Sequence, residues 1–142
     1  MIIMLNKVPS SRFKKDLRRL GKSKVDLKIV ERIITRLANG EKLERKYRDH
    51  SLSNNLAQFR ECHVRPNLLL VYKVSGDDLY LYRLYTHDDL KRECLMAGTD
   101  SCDEVVLYDV DGSKIVLDRE ALEMTPCIST NTEDLIKELF ET

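Results

Sequence analysis

The chain has three histidines, His50, His63 and His87, all within a span of fewer than forty residues. Histidine has an ordinary pKa of ~6.5, so it can give or take a proton near neutrality where most side chains cannot. Several histidines beside arginines suit one chemistry in particular, the cleavage of RNA without a metal. That reaction needs a base for the 2′-hydroxyl proton, an acid for the departing 5′ oxygen, and a cation to steady the charged phosphorane. Arg83, Arg60 and Arg65 are the cations near enough in sequence to serve. The competing chemistry is a three-histidine zinc site, but the histidines form no compact HxH or HxxxH pair. The four cysteines, Cys62, Cys94, Cys102 and Cys127, lack CxxC spacing and read as reduced thiols. No metal site and no cofactor is therefore expected.

Three consecutive strands must position these groups. FRECHV leads into the turn Arg65-Pro66-Asn67, the apolar run NLLLVYKV ends at Ser75-Gly76-Asp77-Asp78, and LYLYRLYT runs up to His87. Apolar and β-branched runs punctuated by such turn clusters are the signature of antiparallel hairpins. Pairing Val74 with Leu79 places Leu70 opposite Arg83 and Leu68 opposite Tyr85. Pairing Val64 with Asn67 places Glu61 opposite Leu70 and His63 opposite Leu68. The expected rows on one face are thus Glu61–Leu70–Arg83 and His63–Leu68–Tyr85, with His87 one step beyond. His63, Arg83 and His87 then converge, provided neither hairpin slips by a residue.

The rest of the chain supplies supports. Met1–Leu5 reads as a short edge strand. Pro9-Ser10-Ser11 begins a helix with Phe13, Leu17 and Leu20 on one stripe, which Gly21 ends. A second helix carries Leu27, Val30, Ile34 and Leu37 and stops at Asn39-Gly40. Residues 41–56 form a polar connector holding Lys46, Arg48 and His50. Asp88–Met96 is a further short helix or strand, followed by a small, polar linker over residues 96–101. Two strands around Asp111-Gly112 then suggest a two-residue hairpin turn, and Asp118 or Thr132 could each cap a short helix. A ββα unit of this size cannot hold a core alone.

Charge divides along the same line. Residues 1–95 carry 21 Lys and Arg against 12 Asp and Glu, whereas residues 96–142 carry 3 against 12. A basic part followed by an acidic extension points to a polyanionic partner for the first and to docking or self-association for the second. With no apolar run of membrane-spanning length and no secretory h-region, no membrane association and a cytoplasmic location are expected.

Three blocks, KYRDHSL, FRECHVRPNLLLVYKV and YRLYTHDDL, together with the helical hairpin ending in LANGEKL, resemble the YafQ branch of the RelE superfamily of bacterial toxins over about residues 1–91. The resemblance implies an α+β fold, a RelE-like curled antiparallel sheet with an N-terminal helical hairpin, here followed by the small acidic ββα tail. The organisation is then a toxin domain at 1–95, a linker at 96–101 and an extension at 102–142. It implies a metal-independent endoribonuclease that cuts mRNA in the ribosomal A site, with mRNA, the ribosome and a cognate antitoxin as partners. By the same resemblance His50, His63, His87 and Arg83 are the catalytic set. His87 is the general acid, and His50 and His63 lie near the attacking hydroxyl and scissile phosphate. Lys46, Arg48, Arg60, Arg65, Asn67 and Tyr85 are the expected RNA contacts.

The chain departs from the family pattern at several positions. Asn67 and Leu68 stand where the family has Asp-Trp, and Lys91 stands where it has an aromatic residue. Asparagine cannot act as a carboxylate base, and leucine cannot stack on a nucleobase. Tyr85 replaces a common glycine and offers a ring as a substitute stacking platform. These departures favour a second reading, a catalytically weakened scaffold that binds nucleic acid or protein, with the acidic tail as an antitoxin-like or oligomerisation element. A gyrase-inhibiting relative on the same fold fits less well, because the histidine set matches the nuclease branch.

Overall fold

The structure, a computed structural model, describes residues 4–20, 24–52, 59–86, 105–108, 114–117, 119–122 and 124. His87, Lys91, the 96–101 linker, the segment from Asp88 to Met96 and the helix proposed at Thr132 lie outside these residues.

The first strand, β1, is Asn6–Pro9, and it is followed by helices α1 (Ser11–Leu20) and α2 (Lys24–Ala38). Ser10 sits between strand and helix. Its hydroxyl accepts from the Phe13 N–H at 2.9 Å and donates to the Tyr82 carbonyl at 2.7 Å. That is an N-cap which also ties the helix to the sheet. Pro9 is thus the last strand residue rather than the first helical one. Gly40, at φ 77°, ends α2, with Gly40 N–H donating to Leu37 O and Glu41 N–H to Arg36 O. These bonds satisfy carbonyls that a helix end leaves open.

The polar connector is more ordered than its composition suggests. It holds a 3-10 turn at Arg45–Tyr47 and a two-residue strand, β2, at His50–Ser51. The meander follows as β3 (Arg60–Arg65), β4 (Leu68–Ser75) and β5 (Asp78–Tyr85). The sheet order is β1-β5-β4-β3-β2, with β1 parallel to β5 and the other pairs antiparallel. The sheet is therefore mixed, because β1 returns to it across the helical hairpin rather than through a tight turn.

Two bulges decide which way side chains face. One falls between His63 and Arg65 on β3, the other opposite Val71 and Tyr72 on β5. The pairing of Val74 with Leu79 is as expected, but beyond the second bulge Arg83 lies opposite Val71 and Tyr85 opposite Leu69. Across the other hairpin Glu61 lies opposite Val71 and His63 opposite Leu69. The expected rows are corrected to Glu61–Val71–Arg83 and His63–Leu69–Tyr85. Each bulge adds one residue to an outer strand, so β4 alone is displaced and its two faces are exchanged.

Consequently Leu68, Leu70 and Tyr72 turn toward the helices. They join Phe13, Leu17, Val30, Ile33 and Ile34 in the larger buried cluster. Leu69 and Val71 face the other side with Phe59, Tyr82 and Tyr85. There they share a second buried cluster with Ile115, Leu117 and Ala121. These three belong to the C-terminal part, in which β6 (Val105–Tyr108) pairs with β7 (Lys114–Leu117) and α3 (Arg119–Leu122) follows. Pairing of Tyr108 with Lys114 is one residue out of step with a two-residue turn at Asp111-Gly112. Met124 forms a β-bridge with Ser10. The sheet is thus sandwiched, with the helical hairpin on one face and segments from beyond residue 100 on the other.

Candidate active site

His50 and His63 stand on neighbouring strands with ring centroids 6.2 Å apart. Pairing of β2 with β3 places His50 opposite Glu61, so one row crosses four strands as His50, Glu61, Val71 and Arg83. Both histidines are partly exposed, and the His50 side chain keeps 20% of its surface open. Groups that exchange protons with a bound substrate need this access.

His50 is held at three points. Its Nδ1 lies 2.5 Å from the Arg48 carbonyl. A carbonyl can only accept, so this nitrogen carries a hydrogen. Its Nε2 lies 3.4 Å from Glu61 Oε1. The chain entering β2 is clamped by Asp49, whose Oδ1 accepts from Tyr72 Oη at 2.5 Å and from Arg60 Nε at 3.1 Å. Arg48 adopts φ 48°, a left-handed conformation uncommon for a residue with a Cβ. It turns the backbone out of the 3-10 helix and into the strand.

Glu61 is fully buried. Its Oε2 accepts from the Tyr85 hydroxyl at 2.7 Å while Oε1 faces His50. A buried carboxylate requires donors or positive charge around it; Tyr85 supplies a donor to Oε2, and His50 supplies a charge beside Oε1 when its ring is protonated. Sequence reasoning put Glu61 in the right row without giving it a role. The available signal was its position two residues before His63, which gives both side chains the same face of β3.

Arg83 differs most from expectation. It stands in the expected row with Glu61, but only 3% of it is exposed. Its Nε donates to Asp16 Oδ2 at 2.9 Å and its Nη2 to Asp16 Oδ1 at 3.3 Å. Asp16 also accepts from the Leu84 N–H at 2.9 Å and from Arg19 Nη2 at 3.2 Å. Burial pushes the Asp16 carboxyl up from its ordinary value, and Arg83 is the strongest of the groups pulling it back. Both oxygens accept from N–H donors, an arrangement that fits the ionised carboxylate. The guanidinium is thus built into an interior ion pair between α1 and β5. The sequence signal for Asp16 was an acid on the apolar stripe of Phe13, Leu17 and Leu20 in an otherwise basic helix.

The expected RNA contacts divide into two groups. Lys46, Arg48, Arg65 and Asn67 are exposed, Lys46 lying 4.0 Å from Glu44 and Arg65 donating to Asp26 at 2.6 Å. Arg60 is half-exposed and braces Asp49 and Ser51. Tyr85, by contrast, is 2% exposed. A ring in the interior offers no face to a nucleobase, so its expected role as a stacking platform is corrected to that of a donor to Glu61. Leu68 is buried on the helical side, so position 68 does not present a side chain to the histidine face. Cys62, on the helical side of β3, is a free and fully buried thiol, and burial drives it far above the ordinary thiol range. Among the described residues no group of three or more His, Cys, Asp or Glu side chains is arranged to hold a metal ion, and no helix is long and apolar enough to cross a membrane.

The mixed five-stranded sheet and its helical hairpin define an α+β toxin of the RelE-like fold. Residues 5–92 match the family described as bacterial toxin of type II toxin-antitoxin system, YafQ. The chain belongs to this family and is a toxin of that type of system. The mRNA interferase toxin YafQ of Escherichia coli strain B / BL21-DE3 is 32% identical over 79 residues, covering 55% of this chain and 86% of the relative. A metal-bound toxin from Helicobacter pylori superposes with a TM-score of 0.57 at 43% identity, over 61% of this chain and 99% of that one. The toxin in an E. coli DinJ-YafQ complex gives 0.56 at 30% identity, over 61% and 97%. The two solved structures are matched almost end to end by less than two thirds of this chain, so a C-terminal stretch lies beyond them.

Proposed function

We propose that this toxin is an mRNA interferase which cuts mRNA in the ribosomal A site by histidine acid-base chemistry. The observation that carries the reading is the His50–His63 pair, partly open and 6.2 Å apart, with His50 oriented by Glu61 and the Arg48 carbonyl. That separation lets both rings reach one substrate group held beside them. In the proposed mechanism His63 takes the 2′-hydroxyl proton, His50 stands beside it near the scissile phosphate, and His87 delivers a proton to the departing 5′ oxygen. Lys46, Arg48 and Arg65 line the approach of the phosphate backbone, and Arg60 supports it while holding Asp49. Arg83 contributes from within, as a buried positive charge whose partner is Asp16. No step requires a metal or a cofactor. The named relatives support the class of reaction, and their DinJ complexes support a cognate antitoxin as partner.

A second reading is favoured by Leu68 and Asn67. With the former in the core and the latter neutral, the turn after β3 supplies neither a stacking ring nor a carboxylate. On that reading the scaffold binds without cutting. The acidic extension enters here as a restraint: its Ile115, Leu117 and Ala121 share the cluster on the same sheet face as His63, as an antitoxin segment supplied in cis would. Growth after induced expression separates the readings. Parent chain that arrests growth, with His50→Ala and His87→Ala both harmless, supports the nuclease. Equal toxicity of all three sinks it.

A further inference from the structure

Tyr85 stands on β5 in one row with His63 and Leu69, and its hydroxyl reaches a buried carboxylate. It donates to Glu61 Oε2 at 2.7 Å, both residues being at most 2% exposed. The other Glu61 oxygen lies 3.4 Å from His50 Nε2, and the far side of that ring is fixed by the Arg48 carbonyl. The Arg83 guanidinium lies 5.5 Å from the centre of the Tyr85 ring. The ring itself belongs to the cluster that includes Ile115, Leu117 and Ala121.

A carboxylate with one oxygen held by a phenol cannot rotate freely, and the direction of its second oxygen is then set. What faces that oxygen is an imidazole nitrogen. A carboxylate beside an imidazole nitrogen fixes how the ring is turned toward a substrate. The cluster over the Tyr85 ring, which includes residues that the compact relatives do not match, helps to keep the phenol in place.

We infer that Tyr85 is a positioning residue, acting on His50 through Glu61. The inference rests on the ribonuclease reading of His50, and two readouts keep the two ideas separable. In the full chain, Tyr85→Phe deletes the hydroxyl and keeps the ring. The cleavage rate at saturating programmed ribosomes is expected to fall about tenfold, the worth of one hydrogen bond to a charged group, with the half-saturating concentration unchanged. The side-chain nitrogen resonances of His50 are expected to shift, while those of an exposed reference group do not. A residue that merely stabilised the fold would lower the melting temperature and leave the His50 resonances in place. If Tyr85→Phe does not fold, Glu61→Gln, which keeps the shape, carries the same two measurements. Unmoved His50 resonances, or an unchanged rate from an active parent, overturn the inference. A parent that cuts no RNA removes the ribonuclease reading alone, and the resonances then decide whether the relay exists.

Discussion

Removing Asp16 should be the most damaging single change among the polar residues of α1. Its side chain is 2% exposed and lies between the Arg83 guanidinium, the Leu84 N–H and Arg19. Asp16→Ala leaves the Arg83 side chain, itself 4% exposed, as a buried charge without its carboxylate. Breaking one partner of a buried ion pair costs ~3–5 kcal/mol. The orphaned Leu84 N–H adds ~1–3 kcal/mol unless water enters. Against a total stability of ~5–15 kcal/mol for a domain, the variant keeps a small part of its margin. At ~2–4 °C per kcal/mol for a chain of this size, the melting temperature should drop by roughly 10 °C or more. Replacing both partners at once, Asp16→Leu with Arg83→Met, removes the stranded charge and should restore most of the loss. Urea unfolding followed by far-UV circular dichroism measures all three chains on one scale. An Asp16→Ala cost below ~1 kcal/mol, or a double variant no better than the single one, refutes the assignment of Arg83 as an interior structural cation.

Cys62 should resist alkylation in the folded chain, since it is fully buried and its thiol is pushed far above the ordinary range; peptide mapping after iodoacetamide, with and without urea, reads this site apart from the other cysteines. Alkali should unfold the protein through its tyrosines. The Tyr82 phenol is pushed up to about 12, chiefly by burial, and burial raises Tyr72 as well. A folded-state value above the unfolded ~10 favours the neutral phenol in the fold. The stabilisation is complete below pH ~10 and is lost as pH climbs through about 12, which thermal melts across that window and absorbance at 295 nm would show. Ending the chain after Met96 bares Leu69, Val71, Tyr82 and Tyr85, so dye binding to apolar surface should rise. If the extension restrains the toxin, cleavage should rise too; unchanged activity at unchanged stability removes that idea.

Periodicity carried the helices and the meander because amphipathic spacing and turn residues are local properties. The stripe of Phe13, Leu17 and Leu20, the stop at Gly40 and the pairing of Val74 with Leu79 all follow from near neighbours. The bulges did not announce themselves. Neither Val64 nor Tyr82 is a glycine, and nothing in the local sequence marks an extra residue there. Yet the bulges fall on strands either side of β4, so the relation of His63 to Tyr85 and of Glu61 to Arg83 survived while Leu68 and Leu70 changed faces. The two-residue strand at His50–Ser51 was hidden by its polar surroundings, because its place is fixed by Asp49, Arg60 and Tyr72 across 11 and 23 residues of sequence. The commitments of Arg83 and Tyr85 were illegible for the same reason. Asp16 lies 67 residues from the first, and the cluster around the second draws on residues past 114.

The central claim concerns the chemistry of the histidine face, and mapped cleavage tests it most directly. Purified full-length chain would be added to ribosomes programmed with a defined mRNA, in the presence of a chelator, and the cuts located by primer extension. The account expects cuts within the codon in the A site, undiminished by the chelator, and lost in folded His50→Ala, His63→Ala and His87→Ala. Intact mRNA with the parent, or the same cuts from all three variants, contradicts it.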